Sequence, residues 1–140
     1  MKYYQVAAAI LVHDHHILCM QRPQGKYKYM DYKYEFPGGK VETGESIEDA
    51  LMRELREELN IDVPINASHH YMTLDYAYPD FSITLHSFLV PVASRTFDMC
   101  EHIDYRWCLP KDLRSLDWAL ADDPIIHRLM NDASLVSTGT

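Results

Sequence analysis

The sequence predicts a single α/β or α+β domain built on a mixed sheet with two substantial helices. Three observations predict it. A length of 140 residues suits one domain, and an apolar share of 47% can build a core at that size. Apolar or alternating runs bounded by turn residues recur along the chain. One segment, residues 46–59, instead carries apolar residues at every fourth position.

Taken in order, residues 6–12 and 17–21 are apolar runs joined by His13-Asp14-His15-His16, which reads as a hairpin. The first run is too short to span a membrane and lacks the basic flank and cleavage context of a signal peptide. Residues 23–33, rich in Lys and Tyr, read as a loop. Tyr34-Glu35-Phe36 is a short extended piece stopped at Pro37-Gly38-Gly39. Residues 46–59 form the best helix, with Ile47, Leu51, Leu55 and Leu59 on one stripe beside Ala50. Thr43, Glu45 and Ser46 supply capping and acidic first-turn chemistry. Asn60 stands where a left-handed helix end is expected. Strands follow at 70–78, 82–91 and 103–108, with a Tyr78-Pro79-Asp80 turn between the first two. A helical turn is expected at 109–113 and a terminal helix at 124–133. The domain is expected to occupy residues 1–133, with 134–140 a flexible tail.

Thirteen Lys and Arg against twenty-one Asp and Glu give a net charge of −8. An acidic surface repels nucleic-acid polymers and anionic membranes, so neither is expected as a partner. A small polyanion remains compatible if a divalent cation stands between the charges. Cys19, Cys100 and Cys108 form no Cys-x-x-Cys pair, which fits a reducing, cytoplasmic setting and small buried side chains. The His residues near 13–16 read as polar turn, and the aromatics Tyr78 and Phe81 and those of 27–34 read as core.

The helix at 46–59 carries an anomaly. On a wheel of about 100° per residue, Glu54 and Glu58 fall inside the leucine stripe and Glu57 on its border. Carboxylates this close repel, and burying them unpaired is costly. Arg53 supplies one compensating charge. A hard divalent ion with oxygen ligands would supply the rest, and Mg2+ fits that donor set.

Upstream lies Gly38-Gly39-Lys40-Val41-Glu42-Thr43-Gly44-Glu45. The whole spacing is Gly39, five residues, Glu45, seven residues, Arg53-Glu54-Leu55, one residue, Glu57-Glu58, then Leu59-Asn60-Ile61. It resembles the signature of the Nudix hydrolases at every position but Asn60, where the family has Gly. The resemblance implies an α/β/α sandwich with a mixed sheet that hydrolyses nucleoside diphosphate derivatives with Mg2+ or Mn2+ and a water nucleophile. By the same resemblance Glu54, Glu57 and Glu58 bind metal, Arg53 orients a glutamate, Gly38 or Gly39 lends a carbonyl, and Glu45 is structural.

Gln21-Arg22, Glu35-Phe36-Pro37-Gly38-Gly39-Lys40, residues 101–108 and residues 121–125 extend the resemblance to the MutT-like nucleoside triphosphate pyrophosphohydrolases. It implies phosphate contacts from Arg22 and Lys40, a further metal ligand or base in Glu101, and base reading by Asp122. An ionised Asp122 would suit base edges that present donors, such as cytosine N4 or guanine and 8-oxoguanine N1 and N2. Asp122 could instead cap the last helix, or trade roles with Asp123. The expected reaction releases pyrophosphate from a nucleoside triphosphate, with 8-oxo-dGTP and cytosine nucleotides both open. A sugar or dinucleotide diphosphate substrate, or a non-catalytic nucleotide-binding module, are the alternatives. A monomer or homodimer is expected.

Overall fold

The computed structural model describes residues 2–136. The chain forms β1 (Lys2–His13), β2 (His16–Gln21), β3 (Tyr34–Glu35), β4 (Gly38–Lys40), α1 (Ile47–Leu59), β5 (His70–Ala77), β6 (Phe81–Pro91), β7 (Asp104–Cys108), α2 (Asp123–Met130) and α3 (Ala133–Val136). One mixed sheet runs in the order β3-β2-β1-β6-β5, with β4 also paired to β1 and β7 to β2. The β1–β6 pair is parallel from Lys2↔Phe81 to Val12↔Pro91, and the other pairs are antiparallel.

β1 is buried on both faces, and side chains alternate across a strand. Ala7, Ala9 and Leu11 pack with Leu51, Leu55 and Leu59 of α1. Ala8 and Ile10 pack with Leu113, Trp118 and Ile125, Ile126 and Leu129 of α2. The result is the α/β/α sandwich that the resemblance implies. Each fully buried leucine of α1 contributes about 1.5–3 kcal/mol relative to exposure. The small alanines of β1 let α1 approach the sheet closely.

The α1 boundaries follow local chemistry. The Ser46 side chain accepts from the Asp49 N–H at 3.0 Å, and Asn60 closes the helix at φ 55°, ψ 43°. The hairpin is a two-residue turn with Asp14 and His15 both at positive φ, held by the pair His13↔His16. The main departure from the sequence reading is β4. The stop at Pro37 lasts one residue, after which Gly38, Gly39 and Lys40 pair with Ala8, Ala7 and Val6. A Cβ on Gly38 would lie 2.0 Å from the Ala7 carbonyl oxygen, so only glycine permits the approach. The loop at 23–33 also contains a 3-10 turn at Lys28–Met30. The terminal helix ends at Met130, and α3 occupies part of the expected tail; residues 137–140 lie outside the described residues.

Candidate active site

α1 presents its glutamates in graded burial. Glu58 is 6% exposed, the Glu54 side chain 16%, and the Glu57 side chain 47%. This follows the wheel, which sets Glu58 and Glu54 within the leucine stripe and Glu57 at its edge. Arg53 gathers the outer carboxylates. Its Nε and Nη2 donate to the two Glu45 oxygens at 2.7 and 3.0 Å, and Nη1 donates to Glu54 at 2.9 Å and Glu57 at 3.0 Å. Nη2 also donates to the Lys40 carbonyl at 3.0 Å, tying β4 to α1. The Arg53 hydrogen bonds, followed by the Glu42 N–H, hold Glu45 down to about 2. The Arg53 guanidinium is pushed further toward its charged form, first by Glu45.

Glu58 lies in a different environment. It accepts one hydrogen bond, from the Gly38 N–H at 3.1 Å. Burial pushes its carboxyl up to about 9, and the charges of Glu35, Glu54 and Glu101 add to the effect. Glu54 is raised too, chiefly by burial, against the lowering effect of Arg53. Glycine again makes the close approach. A Cβ on Gly39 would fall 2.5 Å from the Glu54 carboxyl carbon.

Glu58 borders a cleft of about 470 Å³, a size typical of small-molecule sites. Arg22, Glu35, Gly38, Gly39, Lys40, Glu58, Glu101 and Asp122 all line it. Asp122 is 6% exposed, and its carboxyl is pushed well above the usual range by burial and then by Glu35, while Arg22 opposes the shift. It stands just before α2, yet its side chain makes no capping bond. Asp123 is exposed and pairs with Arg114, away from the cleft lining. The Lys40 ammonium sits 3.9 Å from the Tyr4 ring centroid. Tyr4, Tyr27, Tyr78 and Phe81 form an aromatic wall of the same cleft, so the ring residues read as core also face it.

The cleft therefore brings together Arg22, Lys40, Glu58, Glu101, Asp122 and Gly38. Glu54 lies against Gly39, behind the cleft lining, while Glu57 stays at the outer edge with Arg53. Gly38 meets α1 through its N–H. Among the described residues, no three acidic, His or Cys side chains converge as a closed metal cage. The donor set nevertheless fits a hard divalent ion, since every candidate is an oxygen and Glu58 has no cation of its own. Mg2+ keeps several waters and needs few carboxylates, so a closed cage is not required.

Sequence reasoning missed Glu35 and His102. Glu35 accepts from Arg22 Nη1 at 3.0 Å through one oxygen and from His102 Nε2 at 2.9 Å through the other. The charge of Glu35 on β3 beside the glycines was the available signal. Cys100 corrects a further expectation. It is exposed, whereas Cys19 is buried and Cys108 partly so. Cys100 lies in a loop outside both apolar clusters.

Fold and cleft define a hydrolase built on an α/β/α sandwich. The profile of the NUDIX domain matches residues 3–129, and the chain belongs to the Nudix hydrolase family. It is 38% identical over 134 residues to the CTP pyrophosphohydrolase of Escherichia coli (strain K12), covering 93% of each chain. It is 34% identical over 129 residues to the 8-oxo-dGTP diphosphatase of the same strain, covering 92% of this chain and 98% of that protein. The solution structure of the E. coli ORF135 protein superposes with a TM-score of 0.80 at 33% identity, covering 100% of this chain and 96% of that one. Nudix hydrolases generally use divalent metal ions. Among the described residues, no helix is long and apolar enough to cross a membrane.

Proposed function

We propose that the protein hydrolyses nucleoside triphosphates to the monophosphate and pyrophosphate, with a cytosine nucleotide as preferred substrate. The supporting observation is one cleft lined by the box residues Glu58 and Gly38, the cations Arg22 and Lys40, and the buried Asp122. Arg22 and Lys40 would bind phosphate oxygens. Glu54, Glu57, Glu58 and Glu101, with a Gly38 carbonyl, would hold Mg2+ or Mn2+. That ion, when bound, neutralises the polyphosphate and lowers the pKa of a coordinated water. Arg53 holds Glu54 and Glu57 in place, and one of the cleft glutamates takes the proton from the attacking water. Free cysteines support a reducing, cytoplasmic setting.

Asp122 carries the choice of base. A neutral carboxyl donates through O–H and accepts through C=O. That pair complements cytosine, whose N3 accepts and whose N4 donates. The alternative, 8-oxo-dGTP, is met by the ionised form through N1–H and N2–H, or by the neutral form through O6 and N1–H. The neighbouring Arg22 charge favours the ionised form. One relative is named for CTP and the other for 8-oxo-dGTP.

The test is a turnover screen over canonical and modified nucleoside triphosphates, with pyrophosphate and phosphate measured separately. Release of phosphate alone, or preference for a nucleotide sugar, overturns the reaction. Asp122→Asn preserves the donor–acceptor pair. It should keep cytosine turnover, whereas Asp122→Ala, which removes both donor and acceptor, should lower it by about 10-fold or more relative to uracil and thymine nucleotides. An unchanged cytosine preference in Asp122→Ala overturns base reading by Asp122.

A further inference from the structure

The loop between β6 and β7 carries Glu101 toward an acidic neighbourhood. The charge of Glu101 reaches Glu54 and Glu58, and that of Glu35 reaches Glu58 as well. Like charges this close push the loop outward. Three contacts beside Glu101 oppose that push, with the Asp98 N–H donating to the Leu59 carbonyl at 2.9 Å further back in the loop. The Cys100 N–H donates to the Glu58 carbonyl at 3.1 Å, in the last turn of α1, where carbonyls lack helical partners. The Ile103 N–H donates to the Gln21 carbonyl at 3.1 Å, where β2 ends. Between them His102, with a side chain only 3% exposed, donates Nε2–H to Glu35 at 2.9 Å. Glu35 is in turn held by Arg22. Glu101 is thus suspended between the end of α1 and the β2–β3 edge, with a side-chain bond immediately beside it.

The bond is costly to maintain. His102 Nδ1 and Arg22 Nε are both buried without a hydrogen-bond partner. A histidine kept only to fill space would be better replaced by an apolar side chain, because an unpaired buried polar atom is destabilising.

We infer that His102 is a positioning residue: through Glu35 it latches the β6–β7 loop to the sheet and so holds Glu101 over the α1 carboxylates. The inference rests on Glu101 serving the hydrolysis proposed above. His102 borders the cleft with a nearly buried side chain committed to Glu35, so its loss should affect the chemical step more than substrate affinity.

The experiment compares His102→Phe, His102→Asn and His102→Gln in the full chain. Phe fills the space without a donor, and Asn is too short to reach Glu35. Gln carries an N–H near the position of Nε2. Phe and Asn should lower kcat by about 10- to 100-fold with KM nearly unchanged, and Gln should restore most of the loss. Without metal or substrate, amide exchange at Ile103 should speed up in the Phe and Asn variants and return toward the native rate in Gln. Native kcat in both Phe and Asn variants overturns the inference. So does failure of Gln to rescue, or a KM rise matching the kcat loss. Where the Phe variant does not fold, the Asn and Gln pair decides. Because the exchange measurement needs no substrate, the latch and the proposed reaction can fail separately.

Discussion

Two sets of carboxylates meet at α1, and they solve the same problem in opposite ways. The outer set, Glu45, Glu54 and Glu57, surrounds Arg53, which bonds to all three. In the inner set, Glu58 with Glu35 and Asp122 across the cleft, Arg22 bonds to Glu35, but among the described residues neither Glu58 nor Asp122 forms an ion pair. There burial outweighs pairing and pushes the Glu58 and Asp122 carboxyls toward their protonated forms. Glu45 is therefore scaffold, while Arg53 holds the candidate metal ligands Glu54 and Glu57 in place. Glu58 lacks such a partner and is open to a cation, whose charge would act where burial now favours a proton.

The largest expected effect separates the two sets directly. Glu58→Gln keeps the shape and the acceptor for the Gly38 N–H but removes the charge that a metal needs. It should lower kcat/KM by about 100- to 10,000-fold. Glu45→Gln leaves Arg53 bonded to Glu54 and Glu57 and should cost about 10-fold or less, as expected of an orienting partner. Steady-state rates on the best substrate from the screen measure both. Equal losses would show that the outer set is as directly involved as the inner one.

The contrast was partly legible in the sequence. Helical spacing alone puts Glu54 and Glu58 among the leucines and Glu57 at their border, and the observed exposures follow that order. The caps at Ser46 and Asn60 were equally readable, because they depend on local chemistry. What escaped was set by tertiary pairing. β4 exists because two glycines meet β1 some thirty residues earlier in the chain. The Glu35–His102 bond joins residues 67 positions apart, and no local pattern encodes such a contact. Burial of Asp122 likewise depends on the cleft and not on its neighbours in sequence.

A second substitution moves one set without touching its charges. Gly39→Ala would place a methyl 2.5 Å from the Glu54 carboxyl, the far end of a flexible side chain. Glu54 should swing away, lowering kcat by about 10- to 100-fold while thermal stability changes little. Gly38→Ala meets the Ala7 backbone at 2.0 Å instead and cannot relax so easily. It should lower the melting temperature as well as the rate. Melting curves and rates for the two variants would separate loss of site geometry from loss of fold. A native rate in Gly39→Ala would remove Glu54 from the working set.

The smallest effects are those of pH on metal-free stability, and here Glu58 and Glu45 should carry opposite signs. The folded protein raises Glu58 from 4.5 to about 9, so it binds that proton more tightly than the unfolded chain does. The resulting stability is complete below pH 4.5 and is lost as pH rises toward 9. Asp122 acts in the same direction. Glu45 is lowered from 4.5 to about 2, so its contribution is present above pH 4.5 and is lost as pH falls toward 2. With a chelator present, the melting temperature should fall by several degrees between about pH 5 and pH 9. Glu58→Gln should flatten that alkaline limb and leave the acid limb intact, whereas Glu45→Gln should do the reverse. Added Mg2+ should stabilise more strongly as pH rises, because metal and proton compete for the same oxygens. An alkaline limb unchanged in Glu58→Gln would mean that Glu58 is already ionised without metal, and the inner set would then be no different from the outer.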